Sequence, residues 1–194
     1  MSLKLTLSGE LNNWEKFKAR KRNPKFLEIR HKVIHRDKDT CLFCGYQGRT
    51  LEVVNEDNNY ANNTPRNLVT ACVFCARCLL LDSYKLDYSG ADRIIYLPEF
   101  SQTELNILAR VLFIEAGQEG NTEGGYNAKT ILAQLLDRAT LLDEKAGASL
   151  SHPGLFLMYL NSDKKNTDLI KRLRWLPDPK EYMDAIKIWQ MEVD

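Results

Sequence analysis

The sequence has no hydrophobic run that approaches the roughly 20 residues of a membrane-spanning helix. Residues 1–11 lack the cationic start and long apolar stretch of a secretory signal peptide. We therefore expect a cytoplasmic protein that reaches a membrane only through partners. The net charge of +1 does not indicate a strongly charged ligand for the chain as a whole. A content of 44% hydrophobic and 27% charged residues is typical of a soluble globular protein.

Histidine is scarce, with three in 194 residues, and no Ser–His–Asp, Cys–His or paired-carboxylate pattern emerges from the spacing. His31 and His35 are four residues apart on a predicted helix, a spacing that suits a metal-binding pair. However, no third ligand is apparent nearby, so we interpret them as surface or interface histidines. His152, beside Pro153, is interpreted as a turn residue.

All five cysteines lie within the 38 residues from Cys41 to Cys78. Cys41 and Cys44 form one C-x2-C pair, and Cys72 and Cys75 form a second one, with 27 residues between the pairs. Two such pairs have the spacing of a structural zinc site, in which four thiolates surround one ion. Cys78 follows Cys75 by three residues, so on spacing alone it can replace Cys72 as a ligand.

The residues around the cysteines predict a compact module. Gly45 allows a left-handed turn after the first pair, residues 51–54 read as a short strand, and residues 55–67 are rich in Asn and Asp like a loop. Residues 76–81 then read as a helix. A knuckle, a hairpin, a loop and a helix in this order make a treble clef.

This stretch resembles the HNH endonuclease motif, a run of C-x2-C-G, L-E-V-D-H and N-L-V-T-L-C-x2-C-H. The matching residues are Cys41, Cys44, Gly45, Leu51, Glu52, Val53, Asn67, Leu68, Val69, Thr70, Cys72 and Cys75. The resemblance assigns Cys41, Cys44, Cys72 and Cys75 as the ligands of one structural Zn²⁺.

The catalytic side chains of the HNH motif are absent from this sequence. The general-base histidine of the family falls on Asn55, the acidic residue before it on Val54, and the metal-binding histidine on Ala76. Phosphodiester hydrolysis by this route needs a base and ligands for a hard cation, which these side chains do not supply. We therefore expect no catalytic residues and no enzyme activity.

The chain as a whole resembles the DotN/IcmJ family, the HNH-like zinc component of Dot/Icm (type IVB) secretion systems. The resemblance rests on three runs, N-L-V-T-A-C-x-F-C-A-x-C at residues 67–78, the loop at residues 60–63, and residues 95–99 followed by residues 104–106. It implies a non-catalytic adaptor subunit that binds the C-terminal extension of the secretion coupling ATPase, beside small adaptor proteins. It also implies recruitment to the inner membrane through that complex.

Basic residues dominate residues 15–39, with ten Lys or Arg against four Asp or Glu. The stretch at residues 16–25 is interpreted as a solvated face or as a docking surface for an acidic partner segment. The alternative is a phosphate-binding surface of a nucleic-acid-binding protein or residual HNH-type nuclease, in which Trp14 and Phe17 stack on bases.

The flanking regions predict the rest of the fold. Residues 3–7 and 14–20 alternate apolar and polar side chains, which predicts an N-terminal β-hairpin. Pro24 begins a helix, residues 82–92 form a loop, and residues 94–97 form a short strand. Ser101 and Glu104 form a capping box, residues 117–125 form a glycine-rich linker, and the chain beyond is expected to be helical.

The predicted fold class is therefore α+β. Residues 1–100 hold the β-hairpin and the HNH-like treble-clef zinc module, and residues 101–194 form a helical region packed on it as one structural unit. Met158, Trp175, Met183 and Trp189 of this region are interpreted as core residues, with a role as anchors in a partner-binding groove as the alternative.

Overall fold

The computed structural model describes residues 3–86, 90–118 and 122–193. These residues form two compact units, Met1–Lys85 and Leu86–Asp194, which we call the N-terminal and the C-terminal unit. The mixture of helices and short antiparallel strands confirms the predicted α+β class. The predicted loop at residues 82–92 and the predicted linker at residues 117–125 lie partly outside the described residues.

The N-terminal unit contains three helices and one two-stranded sheet among its described residues. They are α1 (Asn13–Arg20), α2 (Pro24–Arg36), β1 (Leu51–Asn55), β2 (Leu68–Cys72) and α3 (Val73–Cys78), followed by a 3₁₀ turn at Leu81–Ser83. β1 and β2 are antiparallel, with Leu51 opposite Cys72 and Asn55 opposite Leu68. Phe26 and Val33 of α2 pack on Val53 and Leu68 of the sheet.

The predicted N-terminal β-hairpin is wrong. Among the described residues, 3–7 form no strand, and residues 13–20 form a helix instead. The extended segment bonds to separate partners, Leu3 N–H to the Leu42 carbonyl and Ser8 N–H to the Cys78 carbonyl, so no ladder forms. In α1 the buried residues Phe17 and Arg20 are three apart, which is a helical spacing rather than an alternation.

The start of α2 follows from its sequence. Pro24 occupies the first turn, where a missing backbone N–H costs nothing. The Asn23 side chain accepts hydrogen bonds from the N–H groups of Lys25 and Phe26 at 3.0 and 3.4 Å. Two arginines of this helix then hold the sheet: Arg30 donates to the Leu51 carbonyl at 2.8 Å, and Arg36 donates to the Leu68 carbonyl at 2.7 Å.

The C-terminal unit consists of five helices and a second two-stranded sheet among its described residues. Its elements are β3 (Arg93–Tyr96), α4 (Gln102–Ala116), α5 (Glu123–Ala146), α6 (Pro153–Leu160), α7 (Thr167–Ile170), β4 (Leu173–Leu176), a 3₁₀ turn (Pro179–Tyr182) and α8 (Met183–Val193). The Ser101–Glu104 capping box at α4 is confirmed. One helix face each of α4 and α5 packs with β3 and β4 around the core residues Ile95, Leu97, Leu105, Leu112, Ala128, Leu135, Ala139 and Leu176.

The sequence predicted a helical C-terminal region, but the structure also places a β-strand, β4, in it. β4 pairs antiparallel with β3, so that Ile94 lies opposite Trp175. Trp175 is fully buried, and its backbone N–H donates to the side chain of Gln102 at 2.8 Å. Because β3 pairs with β4, residues 93–96 belong to the C-terminal unit, whereas the sequence placed the boundary at residue 100.

No helix among the described residues combines the length and the apolar character that a membrane crossing requires. His31 and His35 are exposed on α2. Trp175 and Trp189 are buried core residues, whereas Met158 and Met183 are 59% and 51% exposed.

Candidate metal centre

Four cysteine sulfurs meet in the N-terminal unit. The Sγ atoms of Cys41, Cys44, Cys72 and Cys75 all lie within 4.8 Å of one another, and those of Cys44 and Cys72 are 3.6 Å apart. Cys41, Cys72 and Cys75 are buried, and Cys44 is partly exposed. Cys78 is also buried, but its sulfur does not belong to this group.

The first pair lies on a tight turn whose backbone closes on itself. The Cys41 N–H bonds to the Tyr46 carbonyl at 2.8 Å, and the Gly45 N–H bonds to the Cys41 carbonyl at 2.9 Å. Gly45 adopts a left-handed conformation with φ of 74°, which a side chain would strain. The Leu42 N–H bonds to the Thr70 carbonyl at 2.9 Å, which fixes this turn against β2.

The second pair lies where β2 passes into α3. Cys72 is the last residue of β2 and the N-cap of α3, and its sulfur accepts from the Cys75 N–H at 3.5 Å. The sheet thus carries Cys72 to the turn that holds Cys41 and Cys44. The first helical turn brings Cys75 back to the same point, while Cys78 lies at the end of α3.

The donor set fits a tetrahedral soft-metal site. A tetrahedron with sulfur about 2.3 Å from Zn²⁺ has edges of about 3.8 Å, close to the separation of the Cys44 and Cys72 sulfurs. Four thiolates select Zn²⁺ or an iron–sulfur centre over hard cations such as Mg²⁺. The arrangement can therefore bind a metal ion without a large rearrangement of the backbone.

The electrostatics of the cluster also favour a cation. Hydrogen bonds from Cys41, Cys72 and Cys75 lower the pKa of the Cys44 thiol, whereas burial raises the pKa of the Cys72 thiol well above its ordinary value. Neighbouring thiolates repel one another, so the four do not all ionise on their own. A divalent cation at their centre offsets that repulsion and stabilises the deprotonated forms.

The three residues that the HNH resemblance aligns with reactive groups are buried. Asn55 is 1% exposed, Val54 is fully buried and Ala76 is 3% exposed. The Asn55 amide donates to the carbonyls of Asn59 at 3.0 Å and Asn62 at 2.6 Å, and its oxygen accepts from Arg20. The side chain at the base position therefore holds the loop after β1.

Sequence reasoning missed the role of Arg20. Its guanidinium is buried and donates to the Val53 carbonyl, to Asn55 and, at 3.0 Å, to Asn63. It also lies over the rings of three aromatic residues, with centroid distances of 5.2, 4.4 and 4.7 Å for Phe17, Phe26 and Tyr60. Burial lowers its pKa to about 10. One arginine of the basic stretch is therefore a core residue, which a count of charges cannot reveal.

Two other cations of this stretch form ion pairs within the unit. Lys18 pairs with Glu15 at 2.9 Å, and Lys21 pairs with Glu52 at 2.5 Å. Lys16, Arg22 and Lys25 are exposed. Lys18 and Lys21 are exposed as well, so Arg20 is the buried cation of residues 16–25.

Fold and site define a small α+β protein with a four-cysteine metal-type cluster. No family model matches the chain. The chain is 36% identical over 193 residues to type 4 apparatus protein DotN of Legionella pneumophila subsp. pneumophila (strain Philadelphia 1). The match covers 95% of this chain and 88% of the relative. The chain therefore belongs to the DotN/IcmJ family.

Proposed function

We propose that the chain is a non-catalytic subunit of a type IVB secretion coupling complex. The observation that carries the proposal is the similarity to a type 4 apparatus protein over 95% of the chain. In this role the chain binds the C-terminal extension of the coupling ATPase and positions the small adaptors that deliver effectors. It works in the cytoplasm and reaches the inner membrane through that complex.

The metal part of the proposal is one structural Zn²⁺ held by Cys41, Cys44, Cys72 and Cys75. Four thiolates fill a tetrahedral site, which leaves no position for water or substrate. The turn, the β1–β2 hairpin and α3 around it then form an HNH-like treble clef. The ion would hold these elements together, since they share only a small core and a two-stranded sheet.

The absence of catalysis rests on the three buried positions. A general base must reach its proton at about 2.6–3.2 Å, directly or through one water. Asn55 has no titratable group, and both ends of its amide already bond within the unit. Purified protein should therefore leave supercoiled plasmid intact in Mg²⁺, Mn²⁺ or Zn²⁺, and metal-dependent cleavage that co-purifies with the chain would contradict this part.

The direct test of the proposed function is complex formation. The full chain is mixed with the soluble C-terminal extension of the coupling ATPase from its own organism and separated by size-exclusion chromatography with light scattering. We expect a stable complex that nuclease treatment does not disrupt. Two separate peaks at micromolar concentrations of both proteins would refute the proposed role.

The alternative function is nucleic-acid binding through the basic stretch, which the exposed residues Lys16, Arg22 and Lys25 favour. Such binding weakens steeply with salt, because each neutralised phosphate releases counterions. Charge reversal by Arg22→Glu should then weaken duplex binding and reduce its salt dependence, with Lys165→Glu as the control at an exposed lysine of the C-terminal unit. Absence of salt-dependent binding would leave the secretion role as the better account.

A further inference from the structure

The C-terminal unit has an open groove of about 750 Å³ between the end of α4, the first half of α5, and α8. Apolar side chains form most of its lining, among them Phe113 on α4, Leu132 on α5 and Ile186 on α8. The core beneath the groove is complete without an occupant, since Phe113 and Ile186 are 1% and 4% exposed. The groove is therefore a surface feature that an additional element can fill.

The groove-facing side of α8 has the spacing of a helix-packing seam. Met183, Ile186, Gln190 and Val193 line the groove at intervals of three, four and three residues. This is the a/d repeat by which one helix packs against another. Met183 and Val193 at the two ends of the seam are 51% and 72% exposed. The two ends of the seam are therefore not covered by other helices of the C-terminal unit. This uncovered helical spacing favours a helix as the occupant of the groove.

The walls of the groove are held in place before anything binds. A Cβ on Gly117 at the end of α4 would lie 3.1 Å from Gln190 Nε2 and 3.5 Å from Ile186 Cγ2, so the end of α4 lies close to two side chains of α8. The Gln190 amide also donates to the Ile114 carbonyl at 3.4 Å. A preformed groove lowers the ordering cost of binding.

The charges around the groove indicate which helix fits. Lys129 on α5 and Lys187 on α8 both line it and are exposed, and none of the described residues in the lining is Asp or Glu. Elsewhere in the C-terminal unit acidic residues outnumber basic ones. The groove is therefore a local positive site in an acidic unit, which favours carboxylates in the occupant.

We propose that this groove binds an amphipathic, acidic helix of a partner protein. The apolar face of that helix packs on the α8 seam, and its carboxylates pair with Lys129 and Lys187. The identity of the partner rests on the proposed function, which makes the extension of the coupling ATPase the source of the helix.

Binding is tested with the full chain and fluorescein-labelled overlapping peptides that tile the extension, followed by fluorescence anisotropy. We expect one acidic amphipathic peptide to bind, and Met183→Glu to weaken it about ten-fold or more, since the variant places a carboxylate on the seam. The matched control is Met191→Glu, at a methionine that is 69% exposed on the same helix but outside the lining. It should change the affinity less than about two-fold.

The charge prediction has its own pair of variants. Lys187→Glu should weaken the same peptide about three- to ten-fold at low salt, and the difference should shrink as salt is added. Lys180→Glu reverses an exposed lysine outside the groove and should leave the affinity unchanged. Circular dichroism of each variant confirms that it is folded.

Three outcomes overturn the proposal, and they are distinguishable. If the whole extension binds wild-type protein and Met183→Glu equally well, the groove is not the site and the proposed function stands. If the extension does not bind at all, both fall. If the chain alone dimerises in sedimentation and Met183→Glu makes it a monomer, the occupant is a second copy.

Discussion

Replacing Cys75 should cost far more stability than replacing Cys78, although the two residues are closely matched. Both are fully buried and both lie on α3, three residues apart. They differ in that the Cys75 sulfur belongs to the four-sulfur group and the Cys78 sulfur does not. The comparison of Cys75→Ala with Cys78→Ala therefore isolates the contribution of the proposed metal ion from that of burial.

The expected magnitudes are well separated. Structural zinc contributes about 10–16 kcal/mol of apparent binding free energy in small domains at pH 7, while a whole domain is stable by only about 5–15 kcal/mol. Loss of one of four ligands should therefore abolish cooperative folding of the N-terminal unit. Cys78→Ala removes a buried sulfur outside the four-sulfur group, at a cost of about 1–2 kcal/mol, or roughly 5–15 °C in a unit of this size.

The measurement combines zinc content with thermal unfolding of the full chain. Inductively coupled plasma mass spectrometry should find about one Zn²⁺ per chain in wild type and in Cys78→Ala, and far less in Cys75→Ala. A chelator should remove the transition of the N-terminal unit in the first two proteins. The acid side is informative too, since zinc binding requires deprotonated thiols and weakens as the pH falls.

Two results would refute this reasoning. Zinc retained by Cys75→Ala but lost by Cys78→Ala would show that Cys78 completes the site in place of one of the four. Identical unfolding curves with and without chelator, at confirmed metal removal, would show that the ion does not stabilise the fold.

Three further predictions concern residues around the site. Asn55→Ala should lower the free energy of unfolding by about 1–3 kcal/mol in chemical denaturation, because it removes one acceptor from the buried Arg20 guanidinium and one donor from each of two carbonyls; an unchanged unfolding curve would contradict this. Burial tends to raise the pKa of Asp37, but hydrogen bonds from Arg36 and Thr70 outweigh it and hold that pKa below its usual value. This carboxylate therefore adds stability above about pH 4, and that stability is lost as the pH falls through the folded-state pKa. Asp37→Asn should cost about 1 kcal/mol at pH 7, and this cost should shrink as the pH falls through that pKa in acid-titrated urea unfolding. Gly45→Ala should cost about 1–2 kcal/mol through its left-handed backbone alone, since no atom lies within 4 Å of the added Cβ, and Gly45→Asn should recover part of that loss in thermal unfolding.

Much of the local structure was predictable, because it depends on neighbouring residues. The two C-x2-C pairs, Pro24 with its Asn23 cap and the Ser101–Glu104 capping box act within a few residues of chain. The N-terminal hairpin was mispredicted for the same reason. A loose alternation over residues 14–20 fits a strand and a short helix, and only the packing of Phe17 and Arg20 decides between them.

The sequence by itself determined the cysteine spacing, the side chains at residues 54, 55 and 76, and the family. Spacing alone left Cys72 and Cys78 equivalent as ligands. The HNH resemblance assigned Cys72, and the tertiary structure shows why its sulfur joins the cluster, because β2 carries it to the turn at Cys41 and Cys44. The pairing of β3 with β4, the burial of Arg20 and the groove beside α8 were likewise decided by the fold. Each of these three features depends on contacts between residues that are distant in sequence. Whether those contacts form is decided by packing and hydrogen bonding over a whole unit.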